Sequence, residues 1–223
     1  MADLKNNKNK QMFQNRLDAG LQLAKKLKKF RNSDAIILAI PRGGVPVAYA
    51  VSKELNIPVD IILTKKIGHP DNKEFAIGAA SLSDHFILPS HSISAEYLAE
   101  NLKIIREKLK KMATKYGPAI NNIDLQNKTV IVIDDGIATG NTILATISLL
   151  EKEKPKQIII AVPAASENAI KLLSKKNEEI ITVIISDNFR SVSQFYEDFT
   201  QVTDEEVIFY LNKTKVRNIQ QKY

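Results

Sequence analysis

The chain has 223 residues, of which 44% are hydrophobic and 26% are charged, and it contains no cysteine. This composition excludes disordered, collagen-like and repeat-array proteins, and the length fits one domain with elaborations. The lack of cysteine also excludes disulfides, thiolate zinc sites and cysteine nucleophiles.

The net charge of +7 raises the question of nucleic-acid binding. The 32 lysines and arginines are scattered over the whole length and are not interleaved with the aromatic residues, which is typical of solvated helix faces. Nucleic acid is therefore a disfavoured partner. The first residues lack the apolar core of a signal peptide, and no apolar run approaches the roughly 20 residues of a membrane helix. We expect a cytoplasmic protein with no membrane partner.

Three segments are predicted along the chain: a disordered tail over 1–11, a single domain over 12–213 and a basic tail over 214–223. Within the domain, short apolar runs alternate with amphipathic stretches. The apolar runs predict strands over 35–40, 59–64, 129–133, 157–162 and 180–185. The amphipathic stretches predict helices over 13–30, 45–55, 98–112, 141–152 and 167–175, and a capping box over 203–206 predicts a last helix start.

The first of these helices has an apolar face at a spacing of three to four residues, formed by Phe13, Leu17, Leu21, Ala24 and Leu27. Five strands that alternate with helices predict an open, mostly parallel Rossmann-like α/β sheet with helices on both faces. Such sheets bind ligands beyond the carboxyl ends of the strands, where the strand order reverses. Residues that directly follow strands are therefore the candidate site residues.

The most informative stretch is VIVIDDGIATGNT over 130–142. A buried strand ends in two adjacent acids, Asp134 and Asp135, and a turn with two glycines then opens a helix. Main-chain N–H groups of 137–142 are expected to face a phosphate at the helix start. The hydroxyls of Thr139 and Thr142 would add two further donors.

The two carboxylates need another partner, because their negative charge repels a phosphate. Vicinal sugar hydroxyls or a hydrated Mg²⁺ ion satisfy them better. A phosphate cradle beside a diol or metal clamp describes a ribose 5-phosphate site. The alternative is purely structural: Asp135 caps the helix and Asp134 is only solvated.

The stretch resembles the signature of type I phosphoribosyltransferases, which bind phosphoribosyl pyrophosphate (PRPP). The resemblance implies the type I phosphoribosyltransferase fold with a small hood. It also implies that Asp134 and Asp135 hold the ribose hydroxyls and, indirectly through water or ribose, the cofactor Mg²⁺. The turn would wrap the 5-phosphate, and its residues are Gly136, Ala138, Thr139, Gly140, Asn141 and Thr142.

A second candidate segment, Pro41-Arg42-Gly43-Gly44, follows the first predicted strand. Its two glycines let the main chain approach an anion closely, and Arg42 adds a charged fork. A strand-ending turn with a surface arginine would look the same. By resemblance, Arg42, Gly43 and Gly44 bind the pyrophosphate of PRPP in a loop with a cis peptide bond, which we place between Arg42 and Gly43.

The third candidate is the pair Lys65 and Lys66 at the end of the second predicted strand, followed by a turn-rich loop over 67–76 that we expect to be mobile. In the resembling enzymes a basic residue here neutralises pyrophosphate, and we assign that catalytic role to Lys66. The loop takes the place of one that closes over PRPP and excludes water. Glu74 is a second candidate catalytic residue, which would stabilise a ribosyl cation or handle a proton. A solvated lysine pair and an exposed loop acid are the alternatives.

The similarity spans about 13–212 and is strongest to a bacterial group of predicted phosphoribosyltransferases. It implies a glycosyltransferase of the pentosyl class that transfers ribose 5-phosphate from PRPP to a nitrogenous base and releases pyrophosphate, as in nucleotide metabolism. The alternative is a non-catalytic PRPP-binding regulator or sensor, because a fold does not decide function. Many relatives are homodimers, but nothing in the sequence indicates an interface.

The resemblance narrows the range of candidate acceptor bases but does not identify one. Ala138 stands where 6-oxopurine enzymes carry an aspartate, so hypoxanthine and guanine are disfavoured. Four aromatic residues are candidates for stacking against the base, although an ordinary packed cluster would have the same spacing. They are Phe189, Phe195, Tyr196 and Phe199.

Overall fold

The computed structural model describes residues 12–73, 75–89, 93–121, 123–176 and 179–220. In chain order its helices and strands are α1 (Arg16–Lys26), β1 (Ile36–Ala39), α2 (Gly44–Leu55), β2 (Val59–Ile61), β3 (Lys65–Gly68), β4 (Ala76–Ala80), β5 (His85–Ile87), α3 (Ala95–Tyr116), β6 (Thr129–Ile133), α4 (Asn141–Leu150), β7 (Gln157–Ser166), α5 (Glu167–Leu173), β8 (Glu179–Ser186) and α6 (Asp204–Gln220).

Five of these strands form a parallel sheet in the order β2-β1-β6-β7-β8. Residues of β1 and β6 alternate between its two faces, as the pleat requires. Ile37 and Ile131 pack against α1, α2 and α6, whereas Leu38 and Val132 pack against α4 and α5. The predicted three-layer α/β sheet is therefore confirmed.

The strand order reverses between β1 and β6, because the chain leaves β1 toward one edge of the sheet and leaves β6 toward the other. The two strands are in register from Ile36 opposite Val130 to Ala39 opposite Ile133. Both strands therefore end at the same level, and the residues that follow them lie side by side. This is the place where open parallel sheets bind their ligands.

The second strand is shorter than the sequence analysis predicts. It ends at Ile61 rather than at residue 64, and the chain then turns so that Thr64 donates its N–H to the carbonyl of Ile62 at 3.2 Å. Lys65 and Lys66 therefore begin β3 of a separate antiparallel sheet, in the order β3-β4-β5, which was not predicted. This small sheet packs on α3 through an apolar cluster that includes residues 67 and 77 of the sheet and residues 102, 105 and 109 of the helix.

The helix predictions are confirmed in number and order, and the apolar face predicted for α1 is right at Ala24 and Leu27, which are buried, but wrong at Leu21. The helix begins at Arg16, capped by the side chain of Asn15, and Phe13 lies outside it. Its buried face carries Arg16 and Gly20, while Leu21 is 42% exposed. An arginine and a glycine on the core side hid the true periodicity.

The two ends of the domain differ in what can be compared with the prediction. The predicted tail over 1–11 lies outside the described residues. At the other end, α6 begins at the predicted capping box, where Thr203 and Glu206 bond each other's main-chain N–H groups. The helix then continues to Gln220, across the boundary predicted at residue 213. Among the described residues, no helix is long and apolar enough to span a membrane.

The crossing of α1 and α2 provides a test of this packing. A Cβ atom added at Gly20 would lie 2.6 Å from the carbonyl oxygen of Val47 and 2.7 Å from the Cβ of Ala50. We expect Gly20→Val to destabilise the fold by about 1–3 kcal/mol, because neither backbone can yield without separating the helices.

Urea unfolding followed by circular dichroism measures the change, with Leu21→Ala as the control one residue away. Because Leu21 is 42% exposed, the control should cost clearly less than the ~2–5 kcal/mol of a buried leucine. A larger loss in Leu21→Ala than in Gly20→Val would contradict the assignment of the buried face.

Candidate functional site

Two turns meet at the carboxyl ends of β1 and β6, and their main chains are in very close contact. A Cβ atom at Gly43 would lie 1.9 Å from Oδ2 of Asp135, and one at Gly44 would lie 2.6 Å from the carbonyl oxygen of Ile133. No side chain fits at either position. The two glycines therefore let the Pro41–Gly44 turn lie directly against the acids that follow β6.

The cis peptide bond lies one position earlier than predicted, between Pro41 and Arg42. The predicted position between Arg42 and Gly43 is wrong, because that bond already belongs to the start of α2. Gly43 has helical dihedral angles, with φ −60° and ψ −35°, and the carbonyl of Arg42 accepts the N–H of Val45 at 3.1 Å.

The paired acids Asp134 and Asp135 are each held by one N–H donor. Oδ1 of Asp134 accepts the main-chain N–H of Asp135 at 2.8 Å. Oδ2 of Asp135 accepts Nε of Arg16 at 2.9 Å, and its side chain is 15% exposed. Burial, followed by the negative charge of Asp135, raises the pKa of Asp134 well above the usual aspartate range.

Burial raises the pKa of Asp135 as well, but the guanidinium of Arg16 opposes that rise. Placing two carboxyl groups side by side therefore lowers the stability of the free protein. Of the two acids, Asp135 is the one in direct contact with a cationic side chain of the described residues. Because helix capping does not require a second buried acid, this cost favours the ligand-binding interpretation over the purely structural one.

The turn after the acids is fixed at its beginning and open at its end. Ile137 is buried and donates its N–H to the carbonyl of Ala164 at 2.9 Å, so the prediction that this N–H faces a ligand is wrong. The hydroxyl of Ser166 donates to the carbonyl of Ala138 at 2.5 Å and supports the turn from β7.

The remaining amides of this turn fit the prediction of an anion site. Gly140 has φ +82°, which only glycine adopts without strain, and α4 begins at the next residue. Within the described chain, no protein acceptor takes the N–H of residues 138–142, and the side chains of Ala138 and Thr139 are exposed. Free amides at a helix start are the usual way in which main chain binds a phosphate.

Arg42 is oriented by an acid from a distant part of the chain. Its Nη1 lies 3.5 Å from Oδ1 of Asp204, at the start of α6. Asp204 also accepts the hydroxyl of Tyr116 and, at 2.7 Å, Nζ of Lys115, both from the end of α3. The hydrogen bond from Lys115, and then that from Tyr116, lower the pKa of Asp204, so it stays ionised beside Arg42.

Of the two lysines at the start of β3, the structure brings Lys65 rather than Lys66 into the field of Arg42. Burial, and then the positive charges of Lys108 and Arg42, lower the pKa of Lys65. Lys66 pairs with Ala79 in the small sheet, and its side chain points to the opposite face. The role assigned to Lys66 stays a prediction.

The loop between β3 and β4 starts at a well-defined hydrogen-bonded base. The hydroxyl of Tyr97 donates to the carbonyl of Gly68 at 2.7 Å and accepts Nζ of Lys73 at 2.9 Å. Nδ1 of His69 accepts the main-chain N–H of Asp71 at 3.2 Å, so this side chain acts as a turn residue. Glu74, the candidate catalytic acid, lies outside the described residues, and the mobility of the loop stays a prediction.

The four predicted aromatic residues pack in one apolar cluster, and one of them lines the cleft. Phe195 and Tyr196 are 3% and 4% exposed, so they are packing residues, and the hydroxyl of Tyr196 supports the main-chain oxygen of Asp135 at 2.6 Å. Phe199 instead lines an open cavity of about 530 Å³. The residues around that cavity are Arg16, Arg42, Gly43, Asp135, Val192, Phe199, Gln201 and Val202.

Sequence analysis missed Arg16, Ser166 and Asp204 as members of this site. Ser166 and Asp204 both stand at predicted helix starts, where a capping role explains them sufficiently. Arg16 lies within a stretch predicted as an amphipathic helix but outside its predicted apolar face, so no signal in the sequence pointed to it.

Comparison with known proteins agrees with this geometry. A model of the phosphoribosyl transferase domain family matches residues 10–200. The chain is 31% identical over 208 residues to the Mycobacterium tuberculosis H37Rv protein named "Putative phosphoribosyl transferase Rv0571c", a match that covers 91% of this chain and 47% of that protein. It is also 22% identical over 200 residues to the ribose-phosphate pyrophosphokinase of Mycoplasma genitalium, covering 85% of this chain and 47% of that enzyme.

Among solved structures, TT1426 from Thermus thermophilus aligns with a TM-score of 0.81 and 33% identity, covering 91% of this chain and 98% of that one. The chain spans about half the length of the two curated relatives described above. The family model covers nearly the whole domain, including both turns of the cleft. On this evidence, the chain belongs to the phosphoribosyl transferase domain family.

Proposed function

We propose that this chain binds PRPP together with Mg²⁺ and transfers its ribose 5-phosphate to a nitrogenous base. The observation that carries the proposal is the cleft between β1 and β6, where two partly buried acids lie between the Pro41–Gly44 turn and the open amides of residues 138–142. Each of these three parts suits one part of PRPP.

The acids suit the ribose hydroxyls. One oxygen of each carboxylate accepts a hydrogen bond, Oδ1 of Asp134 from the N–H of Asp135 and Oδ2 of Asp135 from Nε of Arg16, so each acid has a second oxygen that a ligand could use. Two adjacent acceptors match two vicinal hydroxyl donors. Because these bonds are made to charged groups, each is worth about 1.5–3 kcal/mol.

The turn suits the 5-phosphate, and the opposite side of the cleft suits pyrophosphate. Amides at the start of α4 and the hydroxyls of Thr139 and Thr142 would surround the phosphate. The positive charges of Arg42 and of the lysines at the start of β3 would stabilise the departing pyrophosphate. The bond between the anomeric carbon and pyrophosphate breaks, and pyrophosphate leaves with the electron pair. A ring nitrogen of the base forms the new bond to the anomeric carbon and then loses its proton.

The residues present fit Mg²⁺ only when it is shared with the substrate. The described residues hold no group of three or more His, Cys, Asp or Glu side chains that could form a metal site of their own. Mg²⁺ usually binds through one or two carboxylates together with substrate phosphates, and Asp134 and Asp135 could serve it through water or ribose. When bound, the ion would neutralise charge on the leaving pyrophosphate.

Removal of the two acidic charges tests the diol assignment. The variant Asp134→Asn with Asp135→Asn should bind PRPP at least about 100-fold more weakly, because two charge-assisted hydrogen bonds are lost. Isothermal titration calorimetry with Mg²⁺ measures this. Asp34→Asn with Asp124→Asn makes the same charge change at exposed positions near the opposite ends of β1 and β6, and it should bind like the wild type. Equal affinity in both double variants would contradict the assignment.

The raised pKa of Asp134 also predicts an effect on stability. A raised pKa means that the native state binds this proton more tightly than the unfolded state, so the native state loses stability as pH rises through that pKa. Asp134→Asn removes the penalty and keeps the Oδ1 acceptor. It should therefore raise Tm at pH 7, by about 2–4 °C for each kcal/mol recovered.

The gain should shrink as pH falls and vanish below about 4, the ordinary aspartate pKa, because the carboxyl group is then protonated in the unfolded state as well as in the native state. Differential scanning fluorimetry over this pH range measures the effect. A lower Tm for Asp134→Asn at pH 7 would show that the ionised carboxylate stabilises the free protein, contrary to its surroundings.

Catalysis itself is tested by incubating the protein with PRPP, Mg²⁺ and a panel of nucleobases and related nitrogen heterocycles. The expected result is a ribose 5-phosphate adduct of one base in the mass spectrum, with an equal amount of pyrophosphate, and no product when EDTA removes the metal. Saturable PRPP binding without pyrophosphate release for any base would instead support a PRPP sensor. Absence of PRPP binding would overturn both.

A further inference from the structure

We propose that Arg16 is a positioning residue of the PRPP site, which holds Asp135 so that its free oxygen faces the ribose. This inference rests on the proposed function and extends it to a residue that lies outside both signature turns. It is drawn from the contacts of one buried guanidinium group, which joins α1, the acid pair and the segment between β8 and α6.

Arg16 makes three contacts that use the whole guanidinium plane. Nε donates to Oδ2 of Asp135 at 2.9 Å, and Nη1 donates to the carbonyl of Thr200 at 2.8 Å. The plane also lies over the ring of Phe199, with 3.8 Å from its central carbon to the ring centroid. The side chain is 10% exposed. A rigid, planar group with several donors can satisfy all three contacts at once, whereas an ammonium group cannot.

These contacts determine which carboxylate oxygen can meet a ligand. Oδ2 of Asp135 is the oxygen that faces Gly43, because an added Cβ there would lie 1.9 Å away from it. Arg16 binds that same oxygen. Oδ1 is therefore the oxygen of Asp135 that a ribose hydroxyl could reach without displacing Arg16.

A structural role alone does not explain this pair. A buried ion pair contributes little net stability, since apolar side chains of similar size would usually pack as well. Asp134 lies beside Asp135, whose negative charge raises the pKa of Asp134. The charge of Arg16 allows both carboxylates to remain hydrogen-bond acceptors in the same cleft.

The main chain around Arg16 is fixed on both sides, so the guanidinium has a defined position. Phe13 donates its N–H to the carbonyl of Phe195 at 2.8 Å, and Asp198 donates its N–H to the carbonyl of Gln14 at 2.9 Å. The side chain of residue 15 then caps α1. The N-terminal residues thus pair with the segment over 195–198 before Arg16 enters the cleft.

The test compares PRPP affinity and thermal stability in two Arg16 variants. Arg16→Gln should weaken PRPP binding in the presence of Mg²⁺ by about tenfold or more, measured by calorimetry, because a neutral amide cannot replace a charge-assisted hydrogen bond. Arg16→Lys keeps the charge but cannot keep the three contacts, so it should recover part of this affinity, with a Kd between those of the wild type and Arg16→Gln.

Two controls separate positioning from folding. Leu23→Val loosens the packing of α1 at a buried core position two turns away from Arg16, so it should lower Tm while leaving Kd unchanged within about twofold, the size expected of a change outside the site. Arg31→Gln removes an exposed arginine beyond the end of α1 and should change neither Tm nor Kd.

The outcomes are distinct. If the wild type binds PRPP and a folded Arg16→Gln or Arg16→Lys variant binds it equally well, Arg16 has only a structural role and the inference fails. A Kd that follows Tm equally in Leu23→Val and the Arg16 variants overturns it too. If Arg16→Gln does not fold, Arg16→Lys decides alone. Failure of the wild type to bind PRPP would overturn the proposed function itself.

Discussion

The contact between the main chain of Gly43 and the carboxylate of Asp135 determines the geometry of the cleft. It brings together two turns that are more than 90 residues apart in sequence but follow neighbouring parallel strands. The strand order reverses between those strands, so no crossover helix covers the gap. The other features of the site lie around this contact of Gly43 with Asp135. They include the open amides before α4 and the ion pair of Arg42 with Asp204.

The cleft lowers the stability of the free protein, and the residues that support it come from distant elements. Two adjacent carboxylates lie where burial raises the pKa of both. Tyr196 supports the main chain of Asp135, and Ser166 supports that of Ala138. Groups that stabilise a ligand at the expense of the free fold are usual in functional sites, because their charges are satisfied only when the ligand is bound.

The parallel sheet and the two turns could be predicted because they depend on local patterns. Apolar runs define β1 and β6, and the acids and glycines after them are contiguous in sequence. The contacts of Arg16 with Asp135 and of Arg42 with Asp204 could not, since they join residues 119 and 162 positions apart in a packing arrangement that no local pattern encodes. The small antiparallel sheet was missed because its strands are short and rich in alanine, glycine and lysine, which have low strand propensity.

The pairing of residues 13–14 with 195–198 has a consequence for how the protein is made. Arg16 finds one partner 119 residues later in the chain and another 184 residues later. A ribosome that synthesises the chain must therefore pass residue 200 before Arg16 can make both of these contacts. The guanidinium of Arg16 will therefore be exposed to water for most of translation. The ligand cleft is among the last parts of the domain to form.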